Sequence, residues 1–81
     1  MAWNKTIEID WTGETFEERR DATVKALRES GWNEDRSPNT GYLESLFDDL
    51  AVAEDADEFD WTWDIIYDHA DADRVWLGVK Q

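Results

Sequence analysis

The residues with the clearest capacity for chemistry are carboxylates. Twenty-one Asp and Glu stand against eight Lys and Arg in 81 residues, a formal charge of −13 with the single His69 neutral. The run Asp68-His69-Ala70-Asp71-Ala72-Asp73 gathers oxygen and nitrogen donors that suit a hard cation. It lacks the central Gly and the distal bidentate Glu of a calcium loop. Asp55, Asp57 and Glu58 make the same weak suggestion, and a plain turn is the better reading of both. His69 has no Ser, Thr or Cys nearby in sequence to activate, so a nucleophilic triad is not indicated. Paired carboxylates of the glycosidase kind occur by chance in any chain this acidic. Gly13, Gly31, Gly41 and Gly78 compose no phosphate cradle. Without Cys there is no thiolate metal site, disulfide framework or thiol nucleophile. The expectation is a protein that is not an enzyme and holds no cofactor or metal.

What distinguishes the carboxylates is their placement. Residues 1–40 carry six bases and nine acids, a balance of −3; residues 41–81 carry Arg74 and Lys80 against twelve acids, a balance of −10. All twelve of those acids fall between Glu44 and Asp73, with no Lys or Arg among them. Asymmetry of this kind suggests an interaction surface, the plain alternative being a solvated acidic face. Phosphates of nucleic acid or lipid would be repelled, and Arg19 and Arg20, beside Glu17 and Glu18, are too few to bind nucleic acid directly. No apolar run approaches the ~18 residues of a membrane span, and the first residues have neither the basic nor the apolar region of a signal peptide. One small domain is expected over 1–81, in the cytoplasm. Six Trp, three Phe and two Tyr supply a dense core, which sets the chain apart from disordered acidic sequences.

The elements that must position these carboxylates follow from periodicity. Residues 3–11 alternate, with Ile7, Ile9 and Trp11 on one side and Thr6, Glu8 and Asp10 on the other, as in a half-buried strand. Thr15 and Glu18 form a capping box, each satisfying an orphan backbone N–H, before a helix with Phe16, Arg20, Thr23, Val24 and Leu27 along one stripe. Gly31 ends that helix near Ser30, and Trp32 folds back onto its end. Ser37 with Pro38, or Thr40, caps a second helix whose Leu43, Leu46, Phe47 and Leu50 face inward, with Glu44, Asp48 and Asp49 outward. An acidic connector follows over 53–58.

Residues 59–68 admit two readings. A helix would align Phe59, Trp63, Ile66 and Tyr67. A strand would align Phe59, Trp61, Trp63, Ile65 and Tyr67, with only Ile66 out of pattern, and its residue types favour strands. The strand reading, with 69–73 as a hairpin loop and 74–80 as a third strand, pairs Asp68 with Arg74 and Ile66 with Trp76. It sets Tyr67–Val75, Ile65–Leu77 and Trp63–Val79 inside. The expected fold is α+β, β-α-α-β-β, a three-stranded antiparallel sheet in the order 1-2-3 with two helices on one face; a mixed 1-3-2 order is the alternative.

On that fold the open sheet face carries Thr6, Glu8, Asp10, Asp60, Thr62 and Asp64, with Ile66 and Trp76 as an apolar end. Alternate strand residues stand ~6.6–6.8 Å apart, on the several-ångström scale of successive phosphates, so rows of carboxylates would fill Lys and Arg pockets built for nucleic acid. Glu44, Asp48, Asp49 and Asp57 extend the field. With its size, its base-free 44–73 stretch and its aromatic-rich core, the chain resembles the small acidic anti-defence proteins of phages, including anti-CRISPR inhibitors that imitate DNA. The resemblance implies an inhibitor that binds a basic nucleic-acid-binding protein or nuclease complex, as a monomer or homodimer. The implied contact residues are Glu8, Asp10, Glu44, Asp48, Asp49, Asp57, Asp60, Asp64, Ile66 and Trp76. Two other readings fit the composition: an acidic adaptor or antitoxin-like module without mimicry, and a halophile-adapted domain.

Overall fold

A computed structural model describes residues 5–35 and 41–81. The chain runs β1 (Lys5–Asp10), α1 (Phe16–Glu29), α2 (Leu43–Ala51), α3 (Ala56–Asp73) and β2 (Val75–Lys80). The two strands form one parallel sheet, Lys5 aligned with Val75 and Asp10 with Lys80. Helix α1 packs on β1 and α3 on β2, while α2 bridges the two helices. Over the described residues the fold is therefore α+β with three helices and two parallel strands, which overturns the expected three-stranded antiparallel sheet with two helices and its mixed-order alternative.

The first half follows its sequence signals. Ile7 and Ile9 are buried, and Thr6, Glu8 and Asp10 face out. Thr15 caps α1: its hydroxyl accepts the Glu18 N–H at 3.1 Å, and the Glu18 carboxylate bonds to that hydroxyl rather than to a backbone N–H. Gly31 takes a left-handed φ of 86° that a Cβ would disfavour. Beyond it, the Trp32 N–H donates to Ser30 Oγ at 3.0 Å, and the ring is buried edge-on against Phe47. The expected caps Ser37, Pro38 and Thr40 lie outside the described residues.

The correction lies in residues 53–73. Segment 59–68, expected as a strand, and 69–73, expected as a hairpin loop, are one continuous helix that begins within the expected connector. Asp55 caps it by accepting the Glu58 N–H at 2.9 Å, and Glu58 returns a carboxylate oxygen to the Glu54 N–H at 2.9 Å. Such reciprocal bonds, with Asp57 and Glu58 beside the positive end of the helix dipole, favour nucleation there. The buried side is Phe59, Thr62, Ile66, Ala70 and Asp73, spaced three and four apart. Trp61 and Tyr67, which a strand would have placed inside, are 74% and 50% exposed. The expected pairs Asp68–Arg74, Ile66–Trp76, Tyr67–Val75, Ile65–Leu77 and Trp63–Val79 are consequently absent, because β2 aligns with β1.

The C-terminal end of α3 is fixed from inside. Asp73 is fully buried, and its carboxylate accepts the Trp32 indole N–H at 2.9 Å. Arg74 then turns the chain into β2 with φ 60° and ψ 40°, its N–H reaching the carbonyls of Ala70 and Asp71. A left-handed conformation at a residue with a Cβ costs about 1–2 kcal/mol. Arg74→Gly is therefore expected to raise stability by about 1 kcal/mol, read as a higher urea midpoint. Trp32→Phe removes a hydrogen bond from a buried carboxylate and should cost about 1–3 kcal/mol in the same assay. Trp61→Phe on the exposed face should change stability by less than about 0.5 kcal/mol.

Candidate acidic interface

A second aromatic cluster holds α3 against the rest of the chain. The Trp11 ring lies 5.9 Å from Phe59 and 5.3 Å from Trp63, and Phe16 meets Phe59 edge-on at 5.9 Å. The Trp11 indole donates to Thr23 Oγ1 at 2.7 Å, and that hydroxyl donates to the Arg19 carbonyl at 2.7 Å. The polar edge of the cluster is thus satisfied while its apolar body fixes the rotation of α3 about its axis.

With that rotation set, the outward side of α3 is determined by the 3.6-residue period. Asp57, Asp60, Asp64, Asp68 and Asp71 recur three and four apart and are all exposed. Successive members stand about 4.5–6 Å apart along the axis, and the row spans about 21 Å. Trp61 and Tyr67 border it. No Lys or Arg occurs in α3. A rigid helix therefore presents five carboxylates in line, with aromatic surface beside them.

The three arginines of α1 are committed elsewhere. Arg19 donates to the Gly13 carbonyl at 2.9 Å, Arg20 to the Ala53 carbonyl at 3.0 Å, and Arg28 pairs with Asp48 at 2.6 Å. Arg20 also pairs with Asp21 at 3.0 Å and lies 5.8 Å from the Phe16 ring centre.

The expected contact residues are not brought to one surface. Glu8 and Asp10 sit on the outer face of the sheet, where their neighbours are Trp76, Gly78 and Lys80 rather than Asp60 and Asp64. Asp57, Asp60 and Asp64 stand on the helical layer. Glu44, Asp48 and Asp49 are exposed on α2, with Asp48 tied to α1. Ile66, expected at the apolar end of the face, is fully buried, and Thr62, expected on that face, is buried too. Both belong to the side of α3 that packs inward. Trp76 is 65% exposed, without Ile66 beside it. The sheet-borne row of carboxylates therefore does not exist. Asp68, Asp71, Trp61 and Tyr67 are not among the expected contact residues, and Trp61 and Tyr67 were expected inside, although the three-and-four spacing of the Asp residues is itself a helical signal.

The Asp68–Asp73 run does not converge on a point. Asp68 and Asp71 face solvent, Asp73 is in the core, and His69 Nε2 lies 3.0 Å from the Tyr42 hydroxyl with the rings edge-on. Among the described residues no group of three or more His, Cys, Asp or Glu is placed to hold a metal ion, and no helix is long and apolar enough to cross a membrane.

Comparison with protein-family models, with curated proteins and with solved structures gives no match for this chain.

One carboxylate of the sheet face is tuned by its neighbours. The Thr12 hydroxyl and backbone N–H donate to Asp10 Oδ1 at 2.5 and 2.8 Å and, with Lys80 across the ladder, hold its pKa below the ordinary Asp value. A depressed folded-state pKa contributes stability that is present above the unfolded value and is lost as pH falls through the folded one. Thr12→Val should move the Asp10 titration upward, toward the ordinary Asp value, in an NMR pH series of the side-chain carboxyl carbon.

Proposed function

We propose that the chain is a small acidic inhibitor that lays the outward side of α3 on a basic, nucleic-acid-binding surface of a target protein, in the manner of a nucleic-acid mimic. The observation that carries this reading is the row Asp57, Asp60, Asp64, Asp68 and Asp71, all exposed and without a base in the helix. Such a row raises the encounter rate with a cationic cleft and makes binding sensitive to salt. Trp61 adds apolar area that is desolvated on contact, and Trp is enriched among interface hot spots. The Debye length of ~8 Å at physiological ionic strength exceeds the spacing within the row, so its members act on a cation together.

This support differs from the one read from the sequence. The carboxylates are carried by a helix, on the opposite layer from Glu8 and Asp10, and α2 contributes only at the margin through Glu44 and Asp49.

The test is capture of target from host lysate on immobilised protein, followed by competition with duplex DNA. Duplex DNA should release the bound target. The Asp60→Lys, Asp64→Lys, Asp68→Lys triple variant should fail to capture it while keeping a wild-type circular dichroism spectrum. A target that stays bound in excess DNA would overturn mimicry in favour of the adaptor reading. A chain that folds only in molar KCl would overturn both in favour of halophilic adaptation.

A further inference from the structure

Among the described residues the sheet has two strands, so each keeps one edge without a strand partner there, and the two edges differ in chemistry. The Lys5 N–H donates to the Arg74 carbonyl at 3.4 Å and the Trp11 N–H to the Lys80 carbonyl at 2.8 Å. These bonds set the phase of the ladder: odd residues of β1 exchange with even residues of β2. Val75, Leu77 and Val79 therefore direct their N–H and C=O groups away from β1. Among the described residues no turn or loop backbone bonds to them.

Natural proteins guard such an edge with charge, proline or a bulge. The edge of β1 is guarded by Glu8 and Asp10. The edge of β2, Val-Trp-Leu-Gly-Val-Lys, has only Lys80 at its end, and β2 is the one element of the five without a carboxylate. On a chain of charge −13, this is the strand a second copy can approach without setting acid against acid. Self-pairing of β1 in any antiparallel register that keeps its faces would oppose Glu8 or Asp10 to another acid or to Thr6.

Gly78 supplies an independent observation. A glycine inside a strand costs about 0.5–1 kcal/mol relative to Ala, and nothing in the single chain requires it. Its φ is not positive, and a Cβ built there meets no atom closer than 3.8 Å. Two residues away, Trp76 stands on the same outer face, 65% exposed.

We propose that β2 pairs antiparallel with β2 of a second copy about a two-fold axis through Leu77, giving a four-stranded sheet in the order β1-β2-β2-β1. In this register Leu77 faces Leu77, Val75 faces Val79, and each Trp76 indole lies over the bare Cα of Gly78 of the other copy, an arrangement in which an aromatic ring covers a cross-strand glycine. The N–H and C=O groups of Leu77 and Val79 gain partners, and Val75, 3% exposed in the single chain, has to open its outer edge to pair with Val79. Leu77 and Val79, half-buried in the single chain, lose their remaining water. The proposal is independent of the acidic side of α3.

The full chain is examined by sedimentation equilibrium at physiological ionic strength and at about 1 M NaCl, where screening shrinks to ~3 Å. Dimers are expected, tighter at high salt because the two copies repel. Binding of a basic target responds to salt in the opposite sense, so failure of one reading is distinguishable from failure of the other. Gly78→Val should raise the dimer dissociation constant at least about tenfold while the unfolding midpoint of the diluted monomer is unchanged or higher. A merely structural glycine would not give that combination. Leu77→Cys, in a chain otherwise free of Cys, should form a cystine-linked dimer in air, and Thr6→Cys should not. A wild-type chain that stays monomeric at high micromolar concentration in both salts, or a Gly78→Val variant that dimerises as tightly as wild type, would overturn the proposal.

Discussion

The parallel pairing of β1 with β2 is the constraint on which the remaining structure depends. These are the first and last elements of the fold, and parallel neighbours cannot be joined by a tight turn. The chain between them must leave the sheet at the end where β1 finishes and re-enter it at the opposite end, where Val75 aligns with Lys5. Three helical segments make this return, and where successive elements alternate in direction an odd number of them between the strands lets β2 run in the direction of β1. With two helices between the strands, the same reasoning gives an antiparallel pair. The conformation of residues 59–68 thus sets the strand order, the strand direction and the face on which every residue after 58 lies.

Two tertiary ties hold that path. The Trp32 indole reaches the buried Asp73 carboxylate and pins the end of α3 where Arg74 must turn. Trp11, just past β1, lies against Phe59 and Trp63 and pins the first half of the same helix. One tie comes from the end of α1 and the other from the end of β1, so α3 is fixed both along its length and in rotation. A helix free to rotate would blur its surface chemistry; one held at both ends presents a defined row of side chains.

Charge and fold are coupled through this arrangement. The three arginines of α1 are used within the chain, on the Gly13 and Ala53 carbonyls and on Asp48. The sheet face is of mixed sign, with Lys80 across from Asp10. The acidic excess is thereby concentrated on the outward side of α3, while β2 is left free of acids. The molecule thus carries an acidic helix side on one layer and an acid-free strand on the other.

The sequence by itself determined β1, α1 and the turn at Gly31, because there local signals agree: alternation at Ile7 and Ile9, a hydroxyl cap at Thr15, and a residue free to take positive φ. It also determined that the acids of 44–73 would stand without bases among them. In residues 59–68 the local signals conflict. Trp, Thr, Ile and Tyr favour a strand and alternate almost perfectly, whereas the Asp55–Glu58 cap and the three-and-four spacing of both the buried residues and the Asp row favour a helix. Only the tertiary structure decided between them. Burial of Phe59, Thr62, Ile66 and Ala70 against two other elements outweighs a β preference worth ~1 kcal/mol or less per residue, and among the described residues no third strand is present to reward the alternative pairing.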